Sequence, residues 1–116
     1  MKKTKTAACP IPRKENPNVL LLEGEIDRYV SSKVDATLQI MIKKKPEQLI
    51  VDLSRVTYID SSALAVLIEA IKHVEGYGGK FALAGLRETV RLIFEVARLD
   101  QVFRIFPTVD AALAAT

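Results

Sequence analysis

The chain has 116 residues, 49 % of them apolar and 27 % charged, with a formal net charge of +3 and a calculated pI near 9.1. That is enough chain for one hydrophobic core but not for two, in an ordinary globular composition. The basic excess is local, because Lys2, Lys3, Lys5, Arg13 and Lys14 face only Glu15 within residues 1–16 while the remainder is nearly balanced. A nucleic-acid domain spreads its cations over a folded face, so that class is a poor fit.

Residues 1–16 read as a basic, proline-containing tail, and residues 17–116 as the domain. Met1-Lys2-Lys3 starts like an export signal, but no apolar stretch follows it, and no later run is long enough to cross a bilayer. Cys9 is the only cysteine, which rules out an internal disulfide and fits a reducing compartment. A cytoplasmic location is expected. Residues 5–11 could add only a weak or irregular edge strand, since prolines confine a strand to an edge.

Asn16-Pro17-Asn18 is a turn signal, after which Val19, Leu20, Leu21 and Leu22 make a strand ended at Gly24. Glu25 and Asp27 follow. Asp27 reads either as a solvated loop carboxylate or as a cap on the next helix. Ser31 or Ser32 is also a candidate cap, for a helix with Val30, Val34, Leu38 and Met41 on one stripe. Lys43, Lys44 and Lys45 suit the negative end of that helix, and Pro46 stops it.

Leu49, Ile50 and Val51 give a continuous apolar run, the pattern of a strand covered on both faces. A short polar connection through Asp52-Leu53-Ser54-Arg55 is expected next, then an apolar touch at Val56, Tyr58 and Ile59. Asp60-Ser61-Ser62 precedes Leu64, Leu67, Ile68, Ile71 and Val74, an apolar series at helical spacing. Aspartate and serine cap helix starts because their oxygens accept from the free N–H groups of the first turn. On the helical wheel Ser62 points farthest from the apolar stripe, with Ser61 toward its flank. Gly76, Gly78 and Gly79 close this helix, residues 80–84 form a strand, and residues 87–98 form a helix with Val90, Ile93, Phe94 and Ala97 inward. A short extended piece over 102–106 precedes a last small helix capped by Thr108. Leu20, Leu22, Ile50, Leu53, Leu64, Leu67, Ile68, Ile71, Leu83, Val90, Ile93 and Phe94 are expected in one continuous core.

Strands alternating with helices argue for an α/β domain with right-handed crossovers. Enzyme chemistry has little support. The single His73 falls on the outer face of its helix, about 18 Å along the axis from Ser61, too far to serve it as a base. No His/Cys cluster has metal-ligand spacing, the glycines do not make a dinucleotide fingerprint, and no cofactor is expected. A phospho-receiver domain would use Asp52 at a strand end with an acidic pair such as Glu25 and Asp27, but the lysine such a site needs near the last strand is missing.

Asp52-Leu53-Ser54, followed by Ile59-Asp60-Ser61-Ser62-Ala63-Leu64, resembles the signature of STAS domains, the family of bacterial anti-sigma factor antagonists. Gly24-Glu25-Ile26-Asp27 is similar to that family's second acidic element, and the resemblance covers about residues 17–115. The glycine that follows the serines in the family pattern is Ala63 here. The resemblance implies a STAS fold, a mixed and mostly parallel β-sheet of four to five strands with about four α-helices packed against it. It implies Ser61 as the phosphorylated residue and Asp27, Asp60, Ser61 and Ser62 as partner-binding residues. The implied partner is an anti-sigma factor that is a serine kinase, bound when Ser61 is unphosphorylated and released on phosphorylation, with a serine phosphatase as a further candidate. The alternative is a constitutive adaptor or scaffold of the same fold, in a stress-signalling assembly or on a transport ATPase, where the serines only cap a helix.

Overall fold

A computed structural model describes residues 11–12 and 18–115. The calls on Cys9 and on most of the basic tail lie outside those residues. The described elements are β1 (Ile11–Pro12), β2 (Val19–Ile26), α1 (Arg28–Lys43), β3 (Gln48–Ile59), α2 (Ser61–Gly76), β4 (Lys80–Ala84), α3 (Glu88–Val96), a 3-10 turn (Leu99–Gln101), β5 (Arg104–Phe106) and α4 (Val109–Ala114). The five strands lie in sequential order in one sheet, with β1 antiparallel to β2 and every other pair parallel. This is the mixed, mostly parallel sheet that the alternating pattern calls for.

Sequential order means that each crossover steps the same way across the sheet. Connections of one hand then place their helices on one face. The main core accordingly joins α1, α2 and α3 to that face through Val34, Leu38, Leu67, Ile71, Val90 and Phe94 against Leu20, Leu22, Leu49, Val51, Leu53, Phe81 and Leu83. The opposite face is covered by α4. Val109 and Ala112 pack there on Val19, Ile50, Ala82 and Ala84, and the Gln48 amide donates to the carbonyl of Ala112 at 2.9 Å.

The expectation of one continuous core is therefore corrected at Ile50. Successive strand side chains point to opposite faces, so Ile50 belongs to the second cluster while Leu49, Val51 and Leu53 belong to the first. Leu64, Ile68 and Ile93 are only partly buried against the main core, whereas Ala63 and Ala70 are fully inside. The buried stripe of α2 is thus rotated slightly from the one traced by its large residues alone.

Three local expectations also change. The strand β2 does not end at Gly24; it passes through it at φ +77, a value that glycine tolerates, and runs on to Ile26. No connection interrupts β3, which spans twelve residues. It carries two irregularities instead, because Leu21 pairs with Asp52 but Glu23 with Arg55, and Gly24 with Val56 but Glu25 with Tyr58. Each shift fits one extra residue in β3, a β-bulge that bends the strand. Finally, α1 starts before Ser31 and Ser32. Its cap is Asp27, whose carboxylate accepts from the N–H groups of Tyr29 and Val30 at 3.0 and 3.1 Å.

Candidate functional site

The strands β2 and β3 end together, at the pair Ile26 and Ile59. One residue later each chain segment turns into a helix, capped by Asp27 on α1 and by Asp60 on α2. The N–H of Asp60 donates to the carbonyl of Ile26 at 3.2 Å, which ties the two turns to each other. The four residues singled out in the sequence, Asp27, Asp60, Ser61 and Ser62, therefore share one end of the sheet.

Asp60 organises this end. One carboxylate oxygen accepts from the Ala63 N–H at 3.1 Å and from the Ser62 hydroxyl at 2.6 Å. Partial burial pushes its pKa up, but the Ser62 hydroxyl, the Ala63 and Ser62 N–H groups and the positive charge of Arg28 outweigh that and hold it below the ordinary carboxylate value. The group is an anion at neutral pH, at the positive end of α2.

The two serines differ in a way the helical wheel does not predict. Ser61 is the first residue of α2, exposed, and its hydroxyl has no partner among the described residues. Ser62 is the partly buried one. Its hydroxyl donates to Asp60 and lies 3.2 Å from the hydroxyl of Ser31, which is buried on α1. The wheel fails because the first turn projects from a strand end and α1 covers the side to which Ser62 points. Ala63 is 3 % exposed, so its methyl group lies in the core and not on the surface that carries Ser61.

A feature not anticipated from the sequence adjoins Ser61. Tyr58, Ile59, Asp60, Ser61 and Leu64 on one side, and Leu92, Ile93, Val96 and Ala97 on the other, line an open and largely apolar groove of about 450 Å³. Leu92 and Val96 are 51 % and 84 % exposed, large apolar side chains left in water. The signal was present, since both fall off the inward stripe of α3 four residues apart. The groove places α3 beside the start of α2.

His73 is exposed near the far end of α2, away from Ser61. Among the described residues there is no group of three or more His, Cys, Asp or Glu placed to hold a metal ion, and no helix long and apolar enough to cross a membrane. The site as built offers an accessible hydroxyl at a helix N-terminus, next to Asp60 and an apolar groove, with Asp27 at the same end of the sheet.

Comparison with known proteins bears on this arrangement. The family model for the STAS domain matches residues 10–112. An anti-sigma-B factor antagonist of Listeria monocytogenes is 31 % identical over 86 residues, which cover 74 % of this chain and 75 % of that protein. The crystal structure of an anti-sigma factor antagonist from Mycobacterium paratuberculosis superposes with a TM-score of 0.77 at 27 % identity, over 84 % of this chain and 82 % of that one. The Bacillus cell fate determinant SpoIIAA in its phosphorylated form shares the fold, with a TM-score of 0.65 at 22 % identity over 82 % and 86 % of the two chains.

Proposed function

Given that the chain belongs to the STAS domain family, we propose that it is an anti-sigma factor antagonist switched by phosphorylation of Ser61. Unphosphorylated, it binds an anti-sigma factor through the end of the sheet that carries Asp27, Asp60 and Ser61, and so frees a sigma factor. The anti-sigma factor is also the serine kinase that modifies it, and a serine phosphatase resets it, all in the cytoplasm. The domain itself acts by binding and not by catalysis.

The observation that carries this reading is the exposed, unpartnered hydroxyl of Ser61 at the start of a helix. A helix start accepts an anion through its N–H groups and dipole, so a phosphate there is compatible with the fold. It brings about −1.5 to −2 charges beside Asp60 and near Asp27. That change of charge disfavours a partner matched to the unphosphorylated surface, and the added bulk stands at the mouth of the apolar groove. Binding is lost while the domain stays folded. A constitutive adaptor has no use for an unpartnered hydroxyl at this position.

The test uses the full chain, the anti-sigma kinase and ATP, with mass mapping of the phosphate. Ser61→Asp is expected to fold and fail to bind, and Ser61→Ala to bind without being modified. Phosphate found only on Ser62, or Ser61→Asp binding as tightly as the parent, overturns the assignment.

A further inference from the structure

The turn at the start of α2 offers a kinase two adjacent hydroxyls, and only that of Ser62 has a carboxylate against it among the described residues. Its oxygen lies 2.6 Å from the carboxylate of Asp60, a group placed to take its proton, which is the arrangement that activates a hydroxyl. Ser61 has no such base among the described residues. Something else must hold Ser62 back, and the contact that does so comes from the neighbouring helix.

The hydroxyl of Ser31, only 5 % exposed, lies 3.2 Å from that of Ser62 and 3.0 Å from the carbonyl of Arg28. An ionised carboxylate only accepts, so Ser62 spends its proton on Asp60. The bond between the two serines is then donated by Ser31, whose proton has the Arg28 carbonyl as its other acceptor. Whenever Ser31 turns its one proton from the Arg28 carbonyl to Ser62, that hydroxyl is held at both its donor and its acceptor side, facing α1.

We infer that Ser31 is a specificity-determining positioning residue: by hydrogen-bonding Ser62 from α1, it keeps that hydroxyl turned into the helix pair, so that phosphoryl transfer goes to Ser61 alone. This rests on the proposed reading of Ser61 as a kinase substrate. In the transfer the Ser61 oxygen bonds to the γ-phosphorus of ATP and the bond from that phosphorus to its bridging oxygen breaks. ADP leaves with the electron pair, and the hydroxyl proton passes to a base on the kinase. For Ser62 to take the same role it must leave Ser31 and swing outward.

The experiment incubates the full chain with the anti-sigma kinase and ATP and maps phosphate by mass, in the parent, Ser31→Ala, Ser61→Ala, the Ser31→Ala/Ser61→Ala double variant and Ser31→Thr/Ser61→Ala. The parent is expected to carry phosphate on Ser61 and Ser61→Ala to take up little. The double variant should take up about fivefold more than Ser61→Ala, all on Ser62, the factor expected from one released hydrogen bond. Threonine at position 31 restores the hydroxyl and should return uptake toward the low level. A purely structural role for Ser31 would lower the melting temperature without moving phosphate between serines. Phosphate on Ser61 of the parent with no gain on Ser62 in the double variant overturns the role of Ser31 and leaves the switch standing. Phosphate on neither serine of the parent, or on Ser62 alone, overturns both.

Discussion

Replacing Asp60 by alanine separates the two jobs of its carboxylate. The side chain caps α2 through the Ala63 N–H at 3.1 Å and receives the Ser62 hydroxyl at 2.6 Å. Loss of an aspartate cap costs about 1 kcal/mol. The hydrogen bond from Ser62 to a charged acceptor adds about 1.5 kcal/mol, the lower end of its range because water reaches the partly exposed Ser62. Asp60→Ala should therefore lose about 2–3 kcal/mol in urea denaturation at neutral pH. Asp60→Asn keeps an oxygen for both donors and loses only the charge at the helix start, about 0.5–1 kcal/mol. Acid provides the second arm. The folded carboxyl titrates below the ordinary value of 3.8, so its ionised form stabilises the fold at every pH above that value. The contribution fades as pH falls through the folded value, and the gap between parent and Asp60→Asn should close in acid below it. Alanine and asparagine variants of equal stability, or a gap that persists in acid, would refute this account of the turn.

Leu67 is 1 % exposed in the main core, and Leu67→Ala should lower stability by about 2–5 kcal/mol, read from the urea midpoint; a melting temperature within a degree or two of the parent would contradict it. Asp27→Asn, which retains a capping oxygen, should weaken anti-sigma binding in calorimetry by roughly two- to fivefold, the range of a surface ion pair. Glu75→Gln, exposed at the far end of α2, should leave binding unchanged, and equal effects at both positions would argue against the proposed face.

The order and type of the elements were legible because period and punctuation are strong signals here. The apolar run at residues 49–51, the helical series from Leu64 to Val74 and the Thr108 cap all report local geometry directly. Three features were not legible, each for a physical reason. The unbroken β3 was hidden because bulges put polar residues where alternation predicts a break. The buried face of α2 was misplaced because Ala63 and Ala70 carry little hydrophobic signal, although small residues are what allow a helix to sit close. The exposure of the two serines was inverted on the helical wheel because the wheel treats a helix as isolated, and the hydroxyl of Ser31 comes from a residue 31 positions away. The apolar wall of the groove beside Ser61 was legible in Leu92 and Val96, while its place depends on how α3 meets α2.

The site sits on strand ends with almost no loop between sheet and helix. Asp27 directly follows Ile26, Asp60 directly follows Ile59, and those two isoleucines are paired neighbours. Connections of one residue leave no slack, so this end of the domain inherits the stiffness of the sheet. On the proposed reading, a phosphate on Ser61 then has no hinge to pull and acts as charge and shape where it stands. The same stiffness sets a ruler in β3, whose two extra residues bring Ile59 level with Ile26. Inserting or deleting a single residue between Val51 and Ile59 would turn the following segment to the opposite face and carry Ser62 away from Ser31, so this strand tolerates substitutions far better than changes of length.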